Sequence, residues 1–171
     1  FIGVADERIQ EDPLRIIRAI RLKHQLGFEY VGDTLNAIRS SIKLRQINTI
    51  ATDRLRDEVT RMLLHESRIE ALRELDDMGV IENLIPELAR CKGVRQPIEY
   101  HGTADVFEHS LITLGYLPAC PSEQLVWAAL LHDVGKAATQ TFPKSKSDRI
   151  RFNSHAEVGA KLAENILHRL N

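Results

Sequence analysis

A chain of 171 residues, 43% hydrophobic and 27% charged, can bury a real core, and its length admits one domain or two small ones. No apolar run approaches the roughly 20 residues that span a bilayer, and the opening FIGVADERIQ has no signal-type core, so the expectation is a globular, soluble, cytoplasmic protein with no membrane partner. The net charge of -1 hides an uneven distribution: residues 15–56 carry nine Arg or Lys side chains against Glu29, Asp33 and Asp53.

Taken in chain order, the pattern is helical nearly throughout. Asp12 and Pro13 form an N-cap and first-turn proline for the helix LRIIRAIRLKHQL, which Gly27 closes. Asp33 opens a second helix (TLNAIRSSIKL) and Thr52 or Asp53 a third (DRLRDEVTRMLLH), whose Leu55, Val59, Met62 and Leu63 share one face. Ser67 and Glu70 read as a capping box for IEALRELDDM, stopped by Gly79, and a short helix covers IENLIPELA. Gly93, Pro97 and Gly102 interrupt any period, so Lys92–Gly102 is the expected linker, with a first domain over 1–95 and a second over 96–171. Helices then follow over ADVFEHSLITLGYL and from Ser122 through SEQLVWAALLH. A polar loop with Pro143, Lys144, Lys146 and Asp148 leads to a last helix opened by Ser154 and Glu157. A short extended piece at RIRF is the one strand candidate, and the fold class is all-α. Cys91 and Cys120 make no CxxC pair or disulfide framework and are expected as free thiols.

The chemistry-bearing residues sit on three of these helices. His109 lies in one, His132 and Asp133 at the end of another, and His155 at the start of the last. Nitrogen and oxygen donors of this kind suit a divalent metal: magnesium, manganese, nickel, cobalt or zinc. Adjacent helical residues point about 100° apart, so His132 and Asp133 face one ion only where the helix ends, which Gly135 permits. Such an ion brings water into its reactive range near neutral pH, and Lys136 offsets the charge of a phosphate, which makes phosphoester hydrolysis the expected chemistry. A histidine among Phe107, Leu111 and Leu114 is ordinarily a core residue; what sets His109 apart is its place 23 residues before the His-Asp pair. His155, one residue past an N-cap, reads equally as a ligand or as a tolerated polar residue. Trp127, Leu130 and Leu131 are core by spacing.

EHS at 108–110, LLHDVGK at 130–136 and RFNSHAEVGA at 151–160 resemble the HD phosphohydrolase superfamily. The resemblance implies that His109, His132 and Asp133 hold metal, that Lys136 faces phosphate, and that His155 is a ligand or substrate contact. The last aspartate is Asp148, so the closing aspartate of that pattern is missing, an HD domain truncated at its C-terminus is expected, and the coordination sphere is open. RIQEDPLRIIRAIRLKHQLGF and DRLRDEVTRMLL in turn resemble the neck that follows the polymerase head in bacterial tRNA nucleotidyltransferases and poly(A) polymerases. That resemblance implies that Asp12, Arg15, Arg18, Arg21, Arg54 and Arg56 meet nucleotide or the 3′ end of tRNA or another RNA. The blander account pairs each arginine with a nearby acid such as Glu58 or Asp53. No glycine-serine nucleotide turn or paired strand carboxylates are present, so this stretch lacks the polymerase head and is expected to begin after it. The functional reading is the neck plus HD part of an RNA-processing nucleotidyltransferase-type enzyme, its HD site hydrolysing a phosphomonoester or 2′,3′-cyclic phosphodiester. A non-catalytic tRNA-binding body with a structural or vestigial metal site, a stand-alone HD nucleotide phosphohydrolase and a helical interaction module are the alternatives.

Overall fold

The computed structural model describes residues 2–43, 45–96, 105–143 and 149–170; Pro97, His101, Gly102, Lys144, Lys146 and Asp148 lie outside the described residues. The elements are α1 (Ala5–Glu11), α2 (Leu14–Leu26), α3 (Gly32–Lys43), a 3-10 turn (Gln46–Thr49), α4 (Thr52–Leu63), α5 (Arg68–Asp77), α6 (Val80–Leu84), α7 (Pro86–Ala89), α8 (Val106–Gly115), α9 (Glu123–Leu131), α10 (Lys136–Thr139), β1 (Gln140–Thr141), β2 (Arg151–Phe152) and α11 (His155–Arg169). Among the described residues the fold is all-α apart from a two-residue antiparallel pair, in which Gln140 faces Phe152 and Thr141 faces Arg151.

Local chemistry sets most boundaries. The Asp12 carboxylate accepts from the Leu14 N–H at 3.2 Å as the chain enters α2. Gly27 closes that helix in the left-handed conformation (φ 65), and its N–H and that of Phe28 both reach the Lys23 carbonyl. Pro86 splits the helix expected over IENLIPELA into α6 and α7, because it lacks the N–H that a continuing helix needs. The capping box at Ser67 does not form: its hydroxyl is 2.7 Å from His65 Nδ1 and makes no cap bond to α5. Ser154 stands in the left-handed conformation (φ 59) rather than that of an extended N-cap, which turns the chain sharply from β2 into α11. The seven-residue α1 was not anticipated; it buries Ile9 completely.

The chain folds as two compact units, Phe1–Leu84 with Leu170–Asn171, and Ile85–Arg169. In the first, α2 packs on α4 and α5, and α1 on α3. Ile16, Ile17 and Ile20 of α2, Ile38 of α3, Met62 and Leu63 of α4, and Leu72 and Leu75 of α5 are buried to 1% exposure or less, each contributing about 1.5–3 kcal/mol of burial. The division falls ahead of the expected boundary at 96 because the turn after α7 is bonded into the second unit. Val106 N–H donates to Val94 O, Phe107 N–H to Cys91 O, and Gly93 N–H to the Asp105 carboxylate at 2.7 Å. The other oxygen of Asp105 caps α8 through the Glu108 N–H at 2.8 Å. In the same unit α8 packs on α9 and α10 on α11, around Phe107, Leu111, Leu114, Trp127, Leu130 and Leu131. No helix among the described residues is long and apolar enough to cross a membrane.

Candidate metal centre and the neck arginines

From Leu125 to Leu131 helix α9 is apolar on every side, and there it stops. Val134 N–H bonds back to Leu131 O and Lys136 N–H to Asp133 O, a tightened turn that lets the neighbouring side chains of His132 and Asp133 face the same way. His109, from the middle of α8, meets them. Ligand atoms of His109, His132 and Asp133 all lie within 4.8 Å of one another. Nε2 of His132 is 3.1 Å and Nε2 of His109 is 3.6 Å from Asp133 Oδ2, and the two rings meet edge to face with centroids 5.2 Å apart. His155, at the start of α11, comes to 3.9 Å from the other oxygen of Asp133.

Hydrogen bonds orient these rings for coordination. His132 Nδ1 donates to Ala129 O at 2.9 Å and His155 Nδ1 to Phe152 O at 2.8 Å. A carbonyl can only accept, so each bond puts the ring proton on Nδ1 and leaves the Nε2 lone pair of a neutral ring turned to the cluster, the usual outer arrangement of a metal-ligating histidine. Two imidazoles and one carboxylate are a donor set that fits a divalent transition metal.

Gly135 contributes by size rather than by conformation. Its backbone is ordinary right-handed helix (φ -71), so it does not supply the left-handed helix end that its type suggests. A Cβ there would collide with the His155 carbonyl and stand 2.6 Å from the Gly159 nitrogen. The bare Gly135 and Gly159 backbones cross at close range, and this crossing brings His155 beside the His-Asp turn. Gly159, within the quoted RFNSHAEVGA, was not singled out from the sequence, and a glycine one turn into a helix is the signal that marks it.

Asp133 is 4% exposed. Burial favours its neutral form, but hydrogen bonds from His132 and Lys136 outweigh that and hold the carboxyl well below the ordinary carboxylate range. The same bond to Asp133 raises His132 against the opposing effect of burial. Lys136 is also buried, its Nζ 2.7 Å from Asp133 Oδ2 and 2.6 Å from Gln96 Oε1, and 5.6 Å from the Phe152 ring centroid. Gln96, which sequence reasoning left inside the linker, thus fixes the lysine, while its own Nε2 is buried without a partner among the described residues. Both cysteines are free thiols; burial of Cys91, chiefly, pushes its thiol up to about 12.

In the first unit every arginine expected to meet nucleotide or RNA is close to a carboxylate. Arg54 pairs with Asp12 at 2.8 Å, Arg15 with Glu11 at 2.8 Å, and Arg56 lies 4.0 Å from Asp57. Arg18 and Arg21 of α2 both grip Glu58 of α4, at 3.0 and 2.7 Å, so the pairing runs between helices rather than along one. Arg15 and Arg18, with Phe28, also line a groove of about 410 Å³, where Phe28 is 59% exposed.

Comparison with known proteins gives two family matches along the chain. Residues 27–92 match the model for the probable RNA and SrmB-binding site of polymerase A, and 106–171 match the HD domain. A multifunctional CCA protein of Alkalilimnicola ehrlichii is 32% identical over 94% of this chain and 38% of its own length. The CC-adding tRNA nucleotidyltransferase of Thermus thermophilus is 35% identical over 95% of this chain and 38% of its own, and the A-adding enzyme of Deinococcus radiodurans 34% over 98% and 39%. The chain belongs to the tRNA nucleotidyltransferase and poly(A) polymerase family. It spans about two fifths of the length of these relatives and represents the neck and HD region. Within that family the Glu58 clamp lies in the neck and the histidine cluster in the HD domain.

Proposed function

We propose that this chain is the neck and HD region of an RNA-processing nucleotidyltransferase-type enzyme whose HD site hydrolyses a phosphomonoester or a 2′,3′-cyclic phosphodiester with the help of a divalent ion. The observation that carries the reading is the gathering of His109, His132 and Asp133 donor atoms within 4.8 Å, with His132 already tied to a backbone carbonyl through its other ring nitrogen. His109, His132 and Asp133 hold the ion, and His155 approaches from the side as a fourth ligand or as a substrate contact. A bound ion supplies Lewis-acid chemistry to the phosphate and brings water into its reactive range near neutral pH. In the reaction water adds to phosphorus, the P–O ester bond breaks, and the departing alcohol oxygen takes a proton. Lys136 uses two of its three N–H groups on Asp133 and Gln96, which leaves one for a phosphate oxygen.

In the neck, Asp12, Arg15, Arg18, Arg21, Arg54 and Arg56 serve nucleotide or the 3′ end of tRNA. The groove beside Arg15 and Arg18, with Phe28 at its edge, offers a ring for stacking a base next to guanidinium groups for phosphate. The ion pairs to Glu11, Glu58, Asp12 and Asp57 support a scaffolding share for these arginines as well.

Elemental analysis of the chain dialysed against each candidate ion, paired with turnover of phosphomonoesters and 2′,3′-cyclic nucleotides, tests the HD reading. We expect about one ion per chain and hydrolysis, both lost in His109→Ala and His132→Ala. A parent chain that holds an ion and hydrolyses neither ester class would leave only the structural metal clamp. For the neck, tRNA affinity should fall with salt and weaken in Arg18→Ala.

A further inference from the structure

A cavity of about 550 Å³ opens at the histidine cluster, within the range that holds a small ligand, and Lys136 lines it with Asp133 and Phe152. Lys136 Nζ lies 2.7 Å from Asp133 Oδ2, 2.6 Å from Gln96 Oε1 and 5.6 Å from the centroid of the Phe152 ring. Asp133 Oδ2 is shared, with His132 Nε2 at 3.1 Å and His109 Nε2 at 3.6 Å from the same atom. A divalent ion held by these three side chains would draw on that carboxylate and repel the ammonium, and a lysine stem is flexible enough to swing away. Gln96 is the hydrogen-bond acceptor on Lys136 that stands outside the ligand set. Its amide oxygen is neutral, so it fixes the ammonium and leaves the positive charge for a phosphate, where a carboxylate in its place would cancel that charge. Gln96 is itself held: it is 6% exposed, Val94 O accepts from the Val106 N–H at the start of α8, and Arg95 O accepts from Gln140 Nε2 of β1 at 3.4 Å.

We propose that Gln96 is a positioning residue of this site: by accepting from Lys136 Nζ it keeps the ammonium at the cavity while Asp133 serves the ion, and so sets how tightly the site takes phosphate. This role rests on the hydrolase reading of the same cavity and adds to it a residue that touches neither ion nor phosphate. With Asp133 and Gln96 each taking one N–H of Lys136, the third is the one left for a phosphate oxygen. Loss of the Gln96 oxygen frees the lysine to follow its own rotamers, and a misplaced charge binds phosphate less well.

The test is calorimetric titration of the manganese-saturated chain with inorganic phosphate, over a cycle of Gln96→Met, Lys136→Met and the double variant. Methionine fills the space of the glutamine without an oxygen acceptor. We expect Gln96→Met to weaken phosphate binding about ten-fold and Lys136→Met about 100-fold, the span of hydrogen bonds to charged groups. The double variant should bind no more weakly than Lys136→Met, because Gln96 then has no lysine to hold. Gln96→Asn keeps the amide but shortens its reach by one carbon, so it should fall with Gln96→Met and gives the same reading if methionine disturbs the fold. The ammonium NMR signal of Lys136, sharp in the parent because its protons are held, should broaden in both Gln96 variants. Losses that add in the double variant, unchanged affinity in the Gln96 variants, or a parent that does not bind phosphate overturns the proposal. Manganese content and phosphomonoester turnover of the parent report separately on the hydrolase reading: a parent that binds phosphate through this pair and hydrolyses nothing keeps the positioning role and removes the hydrolase.

Discussion

Gly135 carries the tightest constraint in the second unit. A Cβ at this position meets backbone atoms of His155 and Gly159, which cannot rotate aside as a flexible side chain does. Gly135→Ala should therefore push α11 away from the His-Asp turn, at the roughly 1–3 kcal/mol typical of overpacking, and should displace His155 from Asp133. Gly159→Ala is the control: there the new Cβ would stand 3.3 Å from the Gly135 nitrogen and 3.6 Å from its Cα, so a small adjustment suffices. Urea midpoints of the two variants check this, and equal losses would refute the close-approach account. The gathering of His109, His132 and Asp133 was legible in the sequence because the His-Asp pair stands at a helix end and His109 lies 23 residues before it. The purpose of Gly135 was not legible, because it depends on Gly159 on a different element. Gln96 was hidden for the same reason: nothing in a linker sequence announces that its amide will hold Lys136.

Between helices α2 and α4 the governing contact is the buried Glu58 carboxylate, 3% exposed, with Arg18 and Arg21 on it. Burial disfavours its charge, yet the two arginine hydrogen bonds outweigh that and lower it beneath the ordinary value of 4.5. In acid the unfolded chain then binds a proton that the folded chain does not. The stabilisation from Glu58 is complete above about pH 4.5 and is lost as pH falls through the lower folded value. Glu58→Gln should cost stability near the lower end of the roughly 3–5 kcal/mol for breaking a buried pair, because the Arg18 side chain is 46% exposed. It should also flatten the acid limb of a plot of urea midpoint against pH; a limb parallel to that of the parent would remove Glu58 from the account. The helices themselves were readable wherever a signal was local, as at Asp12, Gly27, Gly79 and Ser122, whose hydroxyl accepts from the Leu125 N–H. Reading failed where a neighbour intervened. His65 takes the Ser67 hydroxyl, and the Gln140–Thr141 strand exists only because Arg151–Phe152 lies beside it.

For the molecule as a whole, helical periodicity was enough for the fold class, whereas the division of the chain depends on bonds such as Gly93 to Asp105 that no composition shift marks. With two compact units and the histidine cluster wholly in Ile85–Arg169, a divalent ion should stabilise the two units unequally. A ligand that binds only folded protein adds RT ln(1 + [L]/Kd), about 2.7 kcal/mol at 100 times Kd. The sole tryptophan, Trp127, is buried in α9 of the unit that holds the cluster, so its fluorescence follows that unit alone. Amide exchange in α2 follows the other unit. Adding metal should move the tryptophan transition to higher denaturant and slow exchange in α8 and α9 while leaving the most protected α2 amides unchanged. His132→Ala should abolish the tryptophan shift. Equal protection of α2 and α9 would mean that the two units unfold as one, and no shift of Trp127 at saturating ion would mean that the cluster does not hold metal.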